Sequence, residues 1–288
     1  MLQSKMNDLI YKKIISKKEF SQLPREDVER AFSVFDQDKF SDEEKIKKTR
    51  DLLRKIFSGF GGKKVLVWKD KSAEEVLKKH LSTRERFDFY EEIYKRVLKD
   101  LGTQGCTPKN IQKNIFTRSK ISVIDLGAGV NGFSYNYFEK VGKKVNYVAV
   151  DSVGQLMDST QRYFDSNKIS AQAVKMSLFE LNKIKKLISA TEKPQVVFMF
   201  KVVDALEKLE RNYSKKLLKE IMGLVDTPFG HENLLRGRCV LSLPTESWNL
   251  RKRFFVQRTW LIDFIKENWN ITDDFVIGGE RYLVIENK

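Results

Sequence analysis

Ser122-Val123-Ile124-Asp125-Leu126-Gly127-Ala128-Gly129-Val130-Asn131-Gly132 is the stretch from which the rest of the chain can be read. Its first half is apolar and β-branched, ends in an acid and runs into G-x-G-x-x-G. That pattern predicts a buried strand turning tightly into a helix. Glycines belong in such a turn because a side chain would block close approach of the backbone. The turn is expected to aim free backbone N–H groups at a ligand. A second strand follows, Val145-Asn146-Tyr147-Val148-Ala149-Val150, and its carboxyl end carries Asp151, 24 residues after Gly127. A carboxylate at that point can accept hydrogen bonds from both ribose hydroxyls of an adenosine-containing cofactor.

Downstream of residue 121 strand and helix alternate, which predicts a doubly wound α/β sheet. Strands are expected at 121–126, 145–150, 171–175, 195–200, 238–243, 274–278 and 281–286. Helices are expected near 132–141, 153–165, 178–190, 203–224 and 253–268. Only two residues, near Gly278-Gly279, separate the last two strands. A parallel return needs about a dozen residues, so this gap forces a hairpin and an antiparallel last strand. By itself the glycine loop is shared by dinucleotide enzymes, S-adenosylmethionine (SAM) methyltransferases and ordinary glycine-rich turns. Seven strands ending in a hairpin favour the Rossmann-like SAM methyltransferase sheet over a nicotinamide dehydrogenase. The latter would also need a further substrate domain, and no residues remain for one.

Upstream, the first ~115 residues read as a helical array, because apolar residues recur at helical spacing between start and stop signals. Leu9, Ile10, Ile14 and Ile15 are expected on one face of a first helix, with Lys12, Lys13, Lys17 and Lys18 around the rest. A second helix is expected from Pro24, with Glu26 and Asp27 near its positive end and Val28, Phe32 and Phe35 facing inward. Ser41 and Glu44 form a capping-box pattern for a third, with Ile46, Leu53, Ile56 and Phe57 as its apolar stripe and Gly59-Phe60-Gly61-Gly62 as its stop. Its other face carries Lys45, Lys47, Lys48, Arg50, Arg54 and Lys55. Ser72 and Glu75 open a short helix running through His80, and Phe87, Tyr90, Tyr94, Val97 and Leu98 mark a longer amphipathic one. Between them, Ser82 with Glu85 reads as a capping box, which leaves Arg86 unexplained. The division expected is a basic helical part over 1–110 and the α/β domain over 111–288, with a linker from Leu101 to Asn110.

The net charge is +15, and it is unevenly spread. Residues 1–120 hold 29 Lys+Arg against 19 Asp+Glu, whereas 121–288 hold 25 against 20. Two-thirds of the excess thus lies outside the cofactor domain. A basic appendage suits a polyanion such as RNA or DNA held by its phosphates, and a solubilising surface is the plain alternative. No apolar stretch approaches the ~18–20 residues needed to span a bilayer, and Met1 to Asp8 lacks a secretory core. Cys106 and Cys239 give no disulfide framework, and with two histidines they cannot form a conventional zinc cluster. A cytoplasmic, metal-free protein without membrane contact is expected.

Further residues carry a family likeness. They are His80-Leu81-Ser82-Thr83-Arg84-Glu85-Arg86, the loop from Asp125 to Asn131, and Phe200-Lys201 followed by Leu206-Glu207. Ser242-Leu243-Pro244-Thr245 with Ser247 comes next, and Ile277-Gly278 with Tyr282-Leu283-Val284-Ile285 closes the set. In this order they resemble the FmrO-type 16S ribosomal RNA methyltransferases. That family transfers the SAM methyl to N7 of a decoding-site guanine in the 30S subunit and so confers aminoglycoside resistance. The resemblance implies that Arg86 reaches the SAM carboxylate, that Gly127 and Gly129 contact the methionine part and that Asp151 holds the ribose, with Asp125, Ala128 and Ser152 also in the cofactor site. Phe200, Met176 and Ser177 complete the implied cofactor set, and S-adenosyl-L-homocysteine is the implied product. Three departures stand out: Met176-Ser177 where Gln-Asp is common near the adenine, so that adenine recognition is expected to rest on backbone groups and Ser177; Asp204 in place of a proline; and Glu246 in place of a basic residue.

Guanine N7 carries an in-plane lone pair and is unprotonated at neutral pH, so the transfer needs no general base. Positioning and preorganised electrostatics suffice. The base is expected to turn out of its stack at a cost of roughly a few kcal/mol. Lys201, Ser242, Pro244, Thr245 and Trp248 are the candidates for positioning it; loop packing for Trp248 and a solvated side chain for Lys201 are the plain alternatives. Lys12, Lys13, Lys47, Lys48, Arg54, Lys55, Arg251, Lys252 and Arg253 are the candidates for the RNA phosphates. A monomer acting on 16S rRNA within the 30S subunit is expected. Methylation of another RNA or base atom, SAM binding without turnover, and a housekeeping rather than a resistance role remain open alternatives.

Overall fold

The structure is a computed structural model that describes residues 6–57, 71–101, 120–225, 237–245 and 258–288. Seven strands form one sheet: β1 (Ile121–Leu126), β2 (Val145–Asp151), β3 (Ala171–Lys175), β4 (Gln195–Phe200), β5 (Arg238–Pro244), β6 (Asn270–Ile277) and β7 (Glu280–Glu286). Their order is β3-β2-β1-β4-β5-β7-β6. The first five pair in parallel, and β7 lies antiparallel between β5 and β6. The expected hairpin therefore closes the sheet, through Gly278 and Gly279 at φ 57° and 71°. Side chains of β1 and β4 are buried along their whole length, as strands covered on both faces must be.

β6 begins four residues earlier than its apolar pattern indicates. It is an edge strand with alternating exposure and a register shift between Ile271 and Asp273, a position where charged side chains are tolerated.

The helices are α1 (Asp8–Ile15), α2 (Arg25–Ser33), α3 (Asp42–Phe57), α4 (Ala73–Lys79), α5 (Tyr90–Val97), α6 (Asn136–Lys140), α7 (Gly154–Ser166), α8 (Leu181–Ala190), α9 (Val203–Leu209), α10 (Tyr213–Val225) and α11 (Thr259–Asn268). Single 3-10 turns cover Phe87–Phe89 and Asn131–Ser134. The helix expected over 203–224 is two. Asn212 takes φ 63°, and the Glu207 carboxylate accepts from the N–H groups of Asn212 (2.7 Å) and Ser214 (3.0 Å) and from the Ser214 hydroxyl. A residue expected to sit inside one helix thus caps the next. Both capping boxes, Ser41 with Glu44 and Ser72 with Glu75, form as expected.

Two N-terminal expectations are corrected. Leu9 does not join the buried face of α1 but is 60% exposed, while Ile14 carries the contact. Ser82 and Glu85 make no capping box: no α-helix starts there, the Ser82 hydroxyl bonds His80 Nδ1 at 2.7 Å, and Glu85 turns to Lys201. The N-terminal helices share the main core. Arg50 of α3 donates to backbone oxygens of Lys13 and Ile14, tying α3 to α1, and α5 stacks Tyr94 on Phe138 and Phe198. Arg96 of α5 also pairs with Asp273 of β6 at 2.6 Å over the Phe275 ring. Among the described residues no helix is long and apolar enough to cross a membrane.

Candidate functional site

The carboxyl ends of β1, β2 and β4 meet at the glycine turn, where strand order reverses and open α/β sheets present their ligand crevice. Gly127 and Gly129 hold φ 76° and 56°. A Cβ on Gly127 would lie 2.2 Å from Val202 Cγ1, and one on Gly132 would lie 2.6 Å from Thr160 Cγ2. The motif glycines are thus required by close packing as well as by backbone conformation. The N–H groups expected to be free are largely engaged. Gly127 and Ala128 donate to the Val150 oxygen at 2.8 and 3.0 Å, and Gly129 donates to Asp151 Oδ2 at 3.0 Å.

Asp151 is consequently locked on the turn it was expected to serve, with its other oxygen accepting from Val153 N–H at 2.9 Å. Burial pushes its carboxyl up to about 6, against the pull of those N–H groups. Asp125 is fully buried, and burial raises its pKa too. Its Oδ2 accepts from Asn131 Nδ2 (2.8 Å) and the Tyr147 hydroxyl (2.7 Å), while its Oδ1 has no partner among the described residues. Beyond Asp151, Met176 N–H donates to the Asp151 oxygen and Ser177 Oγ accepts from Phe179 N–H. Ser152 turns its hydroxyl to Asp27 of α2, a residue that reading the sequence assigned only to a helix start.

On the other side of the turn a charged cluster forms that the sequence did not announce. Arg86, 2% exposed, donates from Nε and Nη2 to the two oxygens of Glu280 at 3.0 and 3.1 Å. Its Nη1 reaches Asn131 Oδ1 at 3.3 Å, and its guanidinium lies 4.9 Å from the Phe200 ring centroid. Lys201 joins this cluster rather than extending into solvent, its Nζ 2.5 Å from Glu85 and 3.2 Å from Glu280. The Lys201 backbone sits at φ 57°, its N–H held by the carbonyl and hydroxyl oxygens of Ser242. Ser242 is fully buried and donates to Glu280 at 2.6 Å. Burial opposes the charge on Glu280, yet Arg86 and Lys201 hold it below the usual carboxylate range.

Glu280 and Tyr90, whose hydroxyl donates to Asn131 of the motif loop at 2.8 Å, are therefore candidate site residues that motif reading missed. An acid immediately after the Gly278-Gly279 turn, at the head of an apolar strand, was the available signal for Glu280. None existed for Asp27.

Thr245 bonds the hairpin turn, through both its N–H and its hydroxyl, to the Gly279 oxygen. The Pro244 oxygen accepts from Arg258, which pairs with Asp204 at 2.6 Å. Thr245 and Arg258, which bracket 246–257, are thus both fixed near the crevice. Trp248, Arg251, Lys252 and Arg253 lie outside the described residues, as does the expected linker over 102–110 and the Gly59–Gly62 stop. Of the remaining candidate phosphate ligands, Lys12, Lys13, Lys47 and Lys55 are exposed and make no ion pair among the described residues. Lys48 is half-buried with Nζ over the Phe40 ring, and Arg54 is engaged by Glu19 and Asp51 at 2.9 Å.

No protein-family model matches the chain. It is 22% identical over 226 residues to a 16S rRNA (guanine(1405)-N(7))-methyltransferase of Proteus mirabilis, an alignment spanning 76% of this chain and 66% of that relative. Among solved structures, an rRNA methylase from Escherichia coli superposes with a TM-score of 0.68 at 16% identity, covering 98% of this chain and 99% of the other. The 16S rRNA methyltransferase RmtF, in complex with S-adenosyl-L-homocysteine, gives 0.67 at 18% identity, covering 98% and 100%. These likenesses establish the fold: a Rossmann-like methyltransferase sheet preceded by helices.

Proposed function

We propose that the chain is a SAM-dependent methyltransferase of 16S rRNA that acts on N7 of a decoding-site guanine in the 30S subunit and thereby gives aminoglycoside resistance in the cytoplasm. The observation that carries this reading is Asp151 held by Gly129 N–H at the crevice of a sheet whose last strand is antiparallel. The curated relative and the superposed methylases support the substrate class.

The residues present fit SAM. The unpartnered Oδ1 of buried Asp125 is an acceptor suited to a cationic α-amino group, and Asp151 retains lone pairs for ribose hydroxyls. The guanidinium of Arg86 keeps N–H groups beyond those held by Glu280 and Asn131, and those suit a carboxylate. When bound, SAM supplies an electrophilic methyl on a sulfonium. The protein's share is then to exclude water and orient the base, for which buried Ser242 and Glu280 hold Lys201 and the hairpin turn holds Thr245. Residues 1–110 would dock on RNA, with 80–86 reaching the cofactor, and 111–288 would form the catalytic domain.

Tritiated SAM incubated with purified 30S subunits, followed by primer extension after cleavage at 7-methylguanine, tests the proposal. Label in 16S rRNA with a stop at one decoding-site guanine is expected. Label without cleavage at a guanine would move the reaction to another atom, and SAM binding without label would remove the enzyme assignment.

A further inference from the structure

Asp27 has no part in the function proposed above. It lies in the first turn of α2, where an acidic side chain ordinarily faces water and favours the helix start. Here it is 2% exposed. The Ser152 hydroxyl reaches both of its oxygens at 3.4 Å, the Ser177 hydroxyl also bonds it, and the charges of Asp151 and Arg30 act on it. Hydroxyl-to-carboxylate bonds are normally about 2.5–2.7 Å, so the long Ser152 contacts leave the carboxylate with acceptor capacity beyond the Ser177 bond. The chain before it is fitted to the same corner: a Cβ on Gly154 would meet Gln22 Oε1 at 2.7 Å.

Position decides what that capacity serves. Running outward from the glycine turn, the sheet presents Asp151 and Ser152 after β2, then Met176 and Ser177 after β3. An adenosine whose ribose sits at Asp151 carries its base outward in the same direction. The amine on that base is a donor in need of an acceptor. Met176 offers no polar side-chain acceptor suited to it, and the Ser177 hydroxyl is already bonded on two sides, by Phe179 N–H and to Asp27. The backbone oxygens of Asp151 and Ser177 already accept from the N–H groups of Met176 and Glu180. Asp27, from 124 residues upstream of Asp151, is the carboxylate at this corner.

We propose that Asp27 is a specificity-determining residue that accepts a hydrogen bond from the exocyclic amine of the cofactor's adenine, in place of a side chain from the loop after β3. This rests on the SAM reading. A buried acceptor shielded from water rejects a base lacking the amine, because its own hydrogen bond is then lost without replacement. The N-terminal helices, through α2, thereby complete the adenine end of the cofactor site.

Calorimetry on the full chain with S-adenosyl-L-homocysteine and with its inosine counterpart, in which oxygen replaces the amine, tests this. The wild type is expected to prefer the adenine compound by roughly 10- to 100-fold. Asp27→Leu should weaken the adenine compound by about that factor and bring the preference below ~3-fold. Asp27→Asn, which keeps a neutral acceptor, should fall between. Circular dichroism and urea midpoints check folding, and should Asp27→Leu not fold, Asp27→Asn decides the matter. Wild-type affinity and preference in the folded variants would overturn the role of Asp27 alone. A wild type that binds neither compound would overturn the cofactor reading and this role with it.

Discussion

On the β2–β3 side of the glycine turn, Asp27, Asp125 and Asp151 are buried with hydroxyls, an amide and N–H groups for partners. Glu280, on the β4–β7 side, is just as buried but lies between Arg86 and Lys201. Burial raises the first set, to about 7 for Asp27 and about 6 for Asp151, whereas the two cations bring Glu280 below the usual range. The same chemical group therefore plays two parts. The cation-paired carboxylate is a brace whose charge is neutralised within the fold, and the unpaired ones keep acceptor capacity for a ligand rich in donors.

The largest effect is expected at the brace. Glu280→Ala would leave Arg86 charged and out of water, which typically costs about 3–5 kcal/mol. Urea denaturation should show a loss of that order. Replacing Arg86 and Glu280 together by Met and Leu should restore most of it, since the buried charge is then gone. If the single variant loses under ~1 kcal/mol, the cluster is not the brace described.

Asp151→Ala probes the opposite side. It removes the acceptor for Gly129 and Val153 N–H as well as the proposed ribose contact. S-adenosyl-L-homocysteine affinity by calorimetry should fall roughly 10- to 100-fold, the worth of a charge-assisted hydrogen bond or two. Unchanged affinity would remove Asp151 from the cofactor set.

That difference between the two sides is also the difference between what the sequence disclosed and what it hid. Asp125, Gly127, Gly129 and Asp151 were legible because a strand, a tight turn and the next strand end place them within a short run. The hairpin at Gly278-Gly279 was legible because chain length alone forbids a crossover. Local readings failed where a partner outside the expected pattern competed. Ser82 and Glu85 have the spacing of a cap, yet Glu85 pairs with Lys201, 116 residues away. Asp27 fits a helix start and is buried against Ser152 instead. Glu207 sat inside an expected helix and caps the next one. Each is a polar side chain whose choice of partner depends on tertiary packing, which periodicity does not encode.

pH separates the two sides more gently. Asp27 and Asp151 bind a proton more tightly folded than unfolded, where an aspartate has its ordinary value of 3.8. The stability they contribute is full below that value and is lost as pH rises through about 6 and about 7. Glu280 has the opposite sign, and its share is lost as pH falls through its depressed value. Between pH 5 and pH 8 the unpaired aspartates dominate this comparison. Urea midpoints of the wild type should decline across that interval, and Asp27→Asn should flatten the decline by at most about 1.4 kcal/mol per pH unit. An unchanged slope in Asp27→Asn would contradict the raised value at Asp27.

The smallest effect expected is that of Ser152→Ala. The Ser152 hydroxyl spans 3.4 Å to each oxygen of Asp27 and favours the ionised carboxylate, so its loss should raise the Asp27 titration midpoint above about 7. Carbon-detected NMR of the side-chain carboxyl measures that midpoint directly. Stability at pH 5 should change by under ~1 kcal/mol, because Asp27 is protonated there and loses a single long hydrogen bond. A midpoint that stays put would mean that Ser177 alone among the hydroxyls supports the charge, and a midpoint that falls would mean that burial is not what holds this carboxylate apart from Glu280.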